Sequence, residues 1–341
     1  MRVDTLALSV VVSASTVPPN RKPAVVLRTR DDSSRGIPSS PIGVGTIGWG
    51  DASRGFGTTF REKDAFDAFS RARKSGINFF DTAEVYGYKG QKYEQSAEEI
   101  LGRFVAKNDD VKNDDSDEVV VGSKVFTIPW TNALMGGGIR LGKESLVKAG
   151  KESVKRMGGR RMDLWSIHFP FPSFSQDALM SALEESLDVG LTRAVGVSNY
   201  NVEQLERAFE ILEKRGIPLA SNQIEYSVVN RKAEKEGLIQ SCLDRDVKVV
   251  AHSPLKALKT TEIEEKYVIM NKLCEFIGQV NGGGKSKVSV MLNYCMAKGT
   301  IPIPGVKRVE HIEDIENAMG WTLDEESVLT IDEKMDYLDK L

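Results

Sequence analysis

The stretch NFFDTAEVYG, residues 78–87, joins a run typical of a buried strand to two ionisable side chains. Phe79 and Phe80 are the aromatic residues that interior strands favour, but the run ends at Asp81, and Tyr86 follows shortly after. An interior strand usually ends at a turn containing Gly, Pro or Asn. The acid and the phenol therefore indicate that this strand ends at a functional surface.

Apolar runs of the same kind alternate with amphipathic helical patterns along most of the chain. The predicted strands span residues 42–48, 77–83, 119–125, 162–169, 194–199, 220–227, 248–255 and 300–305. Helices are predicted over residues 62–75, 94–107, 142–158, 177–189, 201–215, 232–245, 286–298, 308–319 and 324–338. Most of the strands are nearly continuously apolar, as parallel strands covered on both faces must be.

Eight such strand–helix units favour an α/β fold, a closed (β/α)8 TIM barrel with extra C-terminal helices. An open doubly wound sheet would carry the G-x-G-x-x-G pattern after its first strand. The first predicted strand instead has Gly43, Gly45, Gly48 and Gly50, in another spacing and with no helix immediately following.

The composition excludes several functional classes. The net charge of −3 and the pI near 5.9 provide no basic surface for nucleic acid. No stretch approaches the roughly 20 apolar residues that a membrane span needs. The chain has 3 cysteines, an odd number, so buried reduced thiols are expected in place of a disulfide framework. The composition leaves the oligomeric state open.

The first 40 residues differ in composition from the rest, so we predict an N-terminal extension over 1–40 and one domain over 41–341. An early Arg, a short apolar run, small residues and prolines resemble a signal or transit sequence, although Asp4 weakens that interpretation. A disordered or hairpin-forming extension is the alternative. Without a cysteine framework, an organelle is favoured over export, and a cytoplasmic location is the alternative.

Polar side chains stand at the carboxyl-terminal ends of the predicted strands, where barrels collect their functional residues. They are Asp81 with Tyr86, Lys124, His168, Ser198 with Asn199, Gln223 with Tyr226, His252 with Ser253, and the loop 305–308. Singly, each has a structural explanation: a turn cap for Asp81, a rim charge for Lys124, a core position for His168. Their occurrence together favours one shared site.

This set suits proton transfer. A phenol with a pKa near 10 is a poor proton donor at neutral pH, and an adjacent ammonium group such as that of Lys124 lowers its pKa. A carboxylate fixes the ammonium, and an imidazole orients or polarises a carbonyl group or shares in proton delivery. A metal site is not expected, because the sequence lacks H-E-x-x-H and has only His168, His252 and His311.

Seven motifs in order resemble the aldo-keto reductase family: DTAEVYG, VVVGSKV, DLWSIHFP, VGVSNY, NQIEYS, SPL and IPIPG. The resemblance covers roughly residues 41–322, and the segments IPIPGVK and AMGWTL are most similar to the bacterial and plant-plastid branch. It implies an NADP-dependent oxidoreductase that reduces a small-molecule carbonyl substrate, and a plastid or other organelle as its location.

The resemblance also implies roles for individual residues. Tyr86 would be the general acid, in a tetrad with Asp81, Lys124 and His168. The implied contacts to NADPH come from Ser198, Asn199, Gln223, His252, Ser253, Pro254, Leu255, Gly305, Lys307 and Arg308. Hydride would pass from the nicotinamide to a carbonyl carbon while Tyr86 protonates the oxygen.

Two positions bear on how the cofactor is held. Lys307 and Arg308 lie in the last predicted strand–helix loop, where helix amide groups and two cations suit the 2′-phosphate of NADPH; a basic first turn without a ligand is the alternative. His252 stands where the family usually has an aromatic residue, often Tyr, stacked on the nicotinamide. A histidine can still stack there, but its smaller apolar area gives the nicotinamide ring less support. Beyond Leu255 the chain runs KALKTTEIEEKY in place of the longer Gly-rich segment that helps cover the cofactor in this branch, which predicts weaker or more open binding.

Two other functions remain open: a cofactor-binding redox-sensing or regulatory subunit with little turnover, and a barrel lyase or isomerase without nicotinamide. The substrate is open too. Six aromatic residues near strand ends form either an apolar substrate wall or loop anchors: Trp49, Phe56, Phe126, Trp130, Phe169 and Phe171.

Overall fold

The computed structural model describes residues 25–30, 36–87, 95–109, 118–128, 140–258, 264–281 and 283–341. Most of the predicted N-terminal extension, including the segment that resembles a transit sequence, lies outside these residues. Within them, a short antiparallel hairpin precedes a sheet of eight parallel strands. The hairpin is Val25–Leu27 (β1) with Ile37–Ser39 (β2), and the parallel strands are Gly43–Gly45 (β3), Phe79–Asp81 (β4), Val120–Val125 (β5), Met162–Ile167 (β6), Thr192–Ser198 (β7), Leu219–Glu225 (β8), Lys248–His252 (β9) and Thr300–Pro302 (β10).

The parallel strands pair in chain order and the sheet closes on itself. Neighbours run sequentially from β3 to β10, and a parallel bridge joins Gly45 to Gly305. The Gly45 amide donates a 2.9 Å hydrogen bond to the carbonyl of Pro304. The predicted (β/α)8 barrel is therefore confirmed, and all eight predicted strands are present.

Helices in the described part of the chain cover the outside of the barrel. They are Glu62–Lys74 (α1), Ala97–Asp109 (α2), Gly142–Arg156 (α3), Gln176–Asp188 (α4), Val202–Glu213 (α5), Lys232–Lys235 (α6), Leu238–Asp244 (α7), Glu265–Val280 (α8), Lys287–Ala297 (α9), Val309–Ala318 (α10) and Glu325–Leu338 (α11). No helix among the described residues is both long and apolar enough to cross a membrane.

Two helix predictions need correction. Helix α8 was not predicted, although its buried residues Tyr267, Met270, Cys274 and Ile277 recur at helical spacing. The helix predicted over 232–245 is divided into α6 and α7 by Gly237, whose φ of 76° is left-handed. Glycine adopts that conformation without the steric cost that a Cβ would impose.

The amino-terminal end of the barrel is filled by side chains. Leu27 and Ile37 of the hairpin pack in one cluster with the inward-facing Phe79, Val120 and other strand residues. Gly43 faces this interior, because an added Cβ would lie 2.7 Å from the Phe79 ring. The glycines of the first strand therefore serve barrel packing, and the open end is the one where the strands finish.

Candidate active site

The centre of the barrel mouth is a buried ion pair between neighbouring strands. Lys124 Nζ donates to both carboxylate oxygens of Asp81, at 2.8 and 2.7 Å. A third bond of 2.6 Å goes to the Thr82 carbonyl. The Lys124 and Asp81 side chains are only 1% and 5% exposed. All three protons of the ammonium group thus have acceptors in protein, and its position is fixed before any ligand binds.

Tyr86 lies beside this pair on the loop that follows β4. Its ring centroid is 5.1 Å from Lys124 Nζ. The loop is held by hydrogen bonds from the Tyr86 amide to Ala83, 3.0 Å, and from the Ala97 amide to the Tyr86 carbonyl, 3.0 Å. Gly87 must be glycine here, since its φ is +85° and a Cβ would meet the Ala97 nitrogen at 2.9 Å.

The pKa of the Tyr86 phenol differs from the sequence-based expectation. Burial raises the pKa above 10.0 and outweighs the lowering by Lys124, while the negative charge of Asp81 raises the pKa further. The Lys124 ammonium lowers the pKa of the phenol as expected, but the nearby Asp81 carboxylate offsets part of that lowering. The phenol is therefore neutral at physiological pH, and it is a weaker acid than the sequence-based expectation implied.

His168 completes the predicted tetrad as a neutral imidazole. Burial, with smaller contributions from Lys124 and His252, holds the pKa of His168 well below 6.5. Its Nδ1 is buried and has no hydrogen-bond partner among the described residues. The ring is stacked on Phe169 with centroids 4.8 Å apart, and its centroid lies 6.0 Å from that of Tyr86.

A chain of amide and hydroxyl groups links the tetrad to the next strands. Gln223 Nε2 donates to Asp81 Oδ1 at 2.8 Å, and Ser198 Oγ donates to the Gln223 carbonyl at 2.9 Å. Asn199 Nδ2 lies 3.1 Å from Ser198 Oγ and 3.0 Å from the His168 carbonyl. The three residues predicted to contact a nicotinamide therefore form one network with the catalytic candidates.

Two residues of this region have left-handed backbone conformations. Asn199 has φ +60° and Ser253 has φ +55°; each directly follows a barrel strand. Asn tolerates this region better than most residues, whereas Ser adopts it at a cost of order 1–3 kcal/mol. Such strain persists where surrounding contacts fix the geometry, and both residues line the same cleft.

The predicted stacking position is occupied by a hydrogen-bonded histidine. His252 Nε2 lies 3.2 Å from Asn199 Oδ1, and Nδ1 lies 3.4 Å from Ser253 Oγ. Pro254 and Leu255 follow along the wall of the cleft. His252 therefore orients the Asn199 amide through this hydrogen bond. A Tyr stacked at this position would contribute the area of its ring instead.

The last loop carries the two cations predicted to bind phosphate. Lys307 Nζ donates to the Arg54 carbonyl at 2.8 Å, and the Arg308 guanidinium donates to the Thr59 carbonyl. Gly305 is exposed, and an added Cβ there would meet nothing within 4 Å. Both cations therefore bond to backbone carbonyls of the loop after β3.

These residues surround a cleft of about 1190 Å³. Its walls include every residue of the predicted catalytic and cofactor-binding sets except Lys124, which lies behind Asp81, and Arg308. Tyr226, also expected at this end of the strands, is instead fully buried away from the cleft, and its hydroxyl donates to Glu234 at 2.8 Å. The sequence interpretation missed several lining residues: Ile47, Ser53, Arg54, Glu225 and Lys256. The segment GWGDASRGFG after the first strand could have indicated Ser53 and Arg54, since it combines Gly-rich backbone with a cation.

The aromatic candidates divide between the two predicted roles. Trp49 is fully buried and donates from Nε1 to the Val306 carbonyl at 2.8 Å, and Phe56 is buried as well, so both are anchors. Phe169 is 38% exposed and lines the cleft. Phe126 packs its edge against His168. Phe171 is half-buried, and Trp130 lies outside the described residues.

Within the described ranges, no group of three His, Cys, Asp or Glu side chains is arranged to hold a metal ion. Cys242, Cys274 and Cys295 are buried free thiols. Burial raises the pKa of Cys242 to about 12, so this thiol is unreactive at neutral pH. The titratable groups gathered at the centre of the mouth are the Tyr86 phenol, the His168 imidazole and the Lys124–Asp81 pair.

Comparison with known proteins identifies the family. The sequence model described as "Aldo/keto reductase family" matches residues 41–336. The chloroplastic pyridoxal reductase of Arabidopsis thaliana is 30% identical over 312 residues, covering 86% of this chain and 82% of that protein. The aldo-keto reductase YhdN of Bacillus subtilis is 25% identical over 315 residues, covering 85% and 88%.

Solved structures share the same barrel. The thermostable aldo-keto reductase Tm1743, in complex with the inhibitor epalrestat, superposes with a TM-score of 0.71 at 26% identity, covering 91% of this chain and 99% of that one. An aldo/keto reductase from Klebsiella pneumoniae in complex with NADP and acetate has a TM-score of 0.69 at 22% identity, covering 90% and 94%, and supports the fold alone. With the family match over most of its length, this chain belongs to the aldo/keto reductase family of oxidoreductases.

Proposed function

We propose that the protein reduces an aldehyde or ketone to an alcohol, with NADPH as the hydride source and Tyr86 as the proton donor. The observation that supports this most strongly is the buried Lys124–Asp81 pair beside the Tyr86 ring. A lyase or isomerase without a nicotinamide has little use for a tyrosine tuned by a lysine. The family membership supports the same class of reaction.

The cleft fits a nicotinamide dinucleotide in size and in donor set. Its volume of about 1190 Å³ exceeds that of an ordinary small-molecule pocket. Asn199 and Gln223 have amide groups suited to a carboxamide, and the open space at Gly305 lets a ligand approach the backbone. When bound, the cofactor supplies the hydride for the carbonyl carbon.

Lys307 and Arg308 would hold the 2′-phosphate that distinguishes NADPH from NADH. Arg308 forms the N-cap of α10 without a side-chain cap, so the helix amides and both cations are directed at the same loop. Cations alone at a helix N-terminus oppose the helix dipole, and an anion relieves this conflict. The Klebsiella pneumoniae relatives have been solved with NADP and with NADPH.

Different side chains of the protein donate the proton, stabilise the resulting charge and orient the carbonyl group. Tyr86 is protonated at neutral pH, since its pKa lies above 10.0, and it gives its proton to the carbonyl oxygen as negative charge develops there. The Lys124 ammonium stabilises the phenolate that remains. Asp81 holds that ammonium in place, and the neutral His168 offers a hydrogen bond that orients the carbonyl group.

We further propose that residues 41–341 form the catalytic domain and residues 1–40 an extension that directs the protein to a plastid. The support is the similarity to a chloroplastic relative together with the composition of the extension. The name of that relative makes pyridoxal the first candidate substrate. An aromatic aldehyde also suits the exposed ring of Phe169 in the cleft.

The test is a screen of NADPH oxidation against pyridoxal, sugar-derived aldehydes, lipid-peroxidation aldehydes and simple ketones. We expect turnover with at least one of them and formation of the matching alcohol, with NADH used less well. NADPH binding without turnover across the panel would contradict the proposal.

A cofactor-binding regulatory subunit is the second candidate function. Phe276 and Val280 are 64% and 61% exposed on successive turns of α8, outside the mouth. An exposed apolar surface of this kind favours a protein partner. Tight NADPH binding in the screen together with negligible turnover is the result that this function predicts.

A further inference from the structure

A second buried ion pair lies next to the mouth, between Glu84 and Arg140. Glu84 lies on the loop between Asp81 and Tyr86, and Arg140 comes just before α3. Arg140 contacts both carboxylate oxygens, at 2.7 Å from NH1 and 3.2 Å from NH2. The side chains are only 1% and 2% exposed. This two-point contact fixes orientation as well as distance.

The pair also holds both backbone polar groups of Phe126. The Phe126 amide donates to Glu84 Oε1 at 2.5 Å, and the Arg140 guanidinium donates to the Phe126 carbonyl. The amide of Glu84 donates to the Lys124 carbonyl at 3.2 Å. The loop that carries Tyr86 and the end of β5 are therefore locked to each other through one carboxylate.

Phe126 in turn supports the imidazole of the tetrad. Its ring centroid is 5.3 Å from that of His168 at an interplanar angle of 84°, and 5.5 Å from that of Phe169. The pair consequently connects the two sides of the substrate position. On one side is the loop with the proton donor Tyr86, and on the other is the ring that packs against His168.

We propose that Glu84 and Arg140 are positioning residues that set the distance between the Tyr86 phenol and the His168 imidazole. This inference rests on the proposed carbonyl reduction, in which both groups address one oxygen atom. Burying two charges contributes little to stability compared with apolar packing. The Glu84–Arg140 pair is therefore better explained as a device that orients neighbouring side chains than as one that stabilises the fold.

The chain supplies a matched control in the pair Glu98–Arg156. Arg156 Nε lies 2.6 Å from Glu98 Oε2, with side chains 13% and 0% exposed. This pair joins α2 to α3 in the helix layer, and Glu98 Oε1 also accepts a 2.5 Å hydrogen bond from Ser123 Oγ on the outer face of β5. Replacing either pair by Met removes the charges at similar volume and leaves one further donor without its carboxylate, the Phe126 amide at the mouth and the Ser123 hydroxyl in the control. The two double variants therefore differ mainly in location.

The experiment compares Glu84→Met/Arg140→Met with Glu98→Met/Arg156→Met, each in full-length protein. Measurements are kcat, the NADPH dissociation constant by fluorescence, and the His168 ring signals by NMR, which are separable because the chain has 3 histidines. For the Glu84–Arg140 pair, called the mouth pair below, we expect the double variant to lose about 10- to 100-fold in kcat, to keep its NADPH dissociation constant and to show shifted His168 signals. The control pair should leave all three within about twofold of wild type.

Two milder variants serve if the double variant does not fold. Glu84→Gln keeps an oxygen for the Phe126 amide but loses the charge, and Arg140→Lys keeps the charge but loses the two-point contact. Each should show a smaller loss in kcat in the same direction, with shifted His168 signals.

The outcomes separate this inference from the proposed function. An active wild type whose mouth-pair variants retain both kcat and the His168 signals overturns the positioning role, as does an equal effect of the control pair. A wild type without turnover overturns the proposed reduction and, with it, the catalytic purpose assigned to the pair. The His168 signals then still decide whether the pair positions the imidazole.

Discussion

The two ends of the cleft hold their cations in different ways. At the mouth, Lys124 is 1% exposed and donates to a carboxylate and a carbonyl that belong to the barrel strands and their ends. At the other end, the half-buried Lys307 and the exposed Arg308 bond to backbone carbonyls of a neighbouring loop. The first arrangement is complete without a ligand, whereas the second uses neutral partners that the proposed 2′-phosphate would replace.

This difference separates positioning from binding. A dry, fully bonded ammonium group cannot reorganise without leaving a charge buried, so the strands fix the chemistry in advance. Exposed cations exchange partners at low cost, because surface electrostatic contacts are worth little in water. The mouth should therefore respond to substitution in both stability and rate, and the phosphate end in cofactor affinity alone.

The largest effect is expected for Lys124→Met. Removing one partner of a buried pair leaves the Asp81 charge uncompensated, which costs about 3–5 kcal/mol of unfolding free energy. We expect kcat to fall by about 10²- to 10⁴-fold as well. Chemical denaturation and steady-state kinetics measure the two.

Lys298→Met is the control for that variant. Lys298 Nζ lies 2.6 Å from both Glu234 and Asp332 in the outer helices, so its loss should lower stability without the fall in kcat. Equal kinetic losses in the two variants would remove the distinction between the two ends of the cleft.

A smaller and more selective effect is expected for Lys307→Ala with Arg308→Ala. Two charge-assisted hydrogen bonds to the 2′-phosphate predict an NADPH dissociation constant about 10- to 100-fold weaker. Binding of NADH, which lacks that phosphate, should change by less than about threefold, and the melting temperature should stay near that of wild type.

Lys155→Ala is the control, because Lys155 is a surface cation with 81% of its side chain exposed. If NADPH and NADH binding weaken equally in the double variant, the phosphate lies elsewhere.

The sequence predicted the strand-anchored part of this site better than the loops. Asp81, Lys124 and His168 lie at or next to the end of a strand, and the register of parallel strands determines where those ends meet. The position of Arg54 depends on a loop whose path is set by its own turns and by its contact with Lys307. The spacing of apolar residues in the sequence does not predict such a path. Helix α8 was missed because its N-cap residue, Glu264, makes no side-chain capping bond and is not one of the usual capping residues.

The direction of the pKa shift of Tyr86 is a second feature that the sequence did not predict. The charges around Tyr86 were predicted correctly, but the sign of the net pKa shift depends on how deeply the phenol is buried and on the Lys124–Asp81 distance. Both are properties of the packed structure. Similarly, the sequence placed His252 at a cofactor-facing position but gave no sign of its bond to Asn199.

A modest effect is expected for His252→Tyr. The phenol ring offers more apolar area to a bound nicotinamide, so the NADPH dissociation constant should tighten by about two- to fivefold. Asn199 keeps its bonds to Ser198 and to the His168 carbonyl, so kcat should change little. Fluorescence titration measures the affinity, and weaker binding would mean that the bond from His252 to Asn199 matters more than ring area.

The smallest effect is expected from pH. In the proposed mechanism Tyr86 acts in its protonated form, and its pKa is raised above 10.0, so the active form persists well above neutrality. His168 acts as a neutral ring, and its pKa is held well below 6.5. We therefore expect kcat to be level from about pH 6.5 to 9. A decline in kcat centred near pH 7 would assign proton donation to another group.

The most direct test of the central claim, that Tyr86 donates the proton, is the turnover of Tyr86→Phe with saturating NADPH. Tyr337→Phe is the control, because Tyr337 is 56% exposed on the last helix. We predict that Tyr86→Phe loses about 10²- to 10⁴-fold in kcat and keeps its NADPH dissociation constant within a few-fold, while the control matches wild type. Undiminished turnover in Tyr86→Phe would contradict the account.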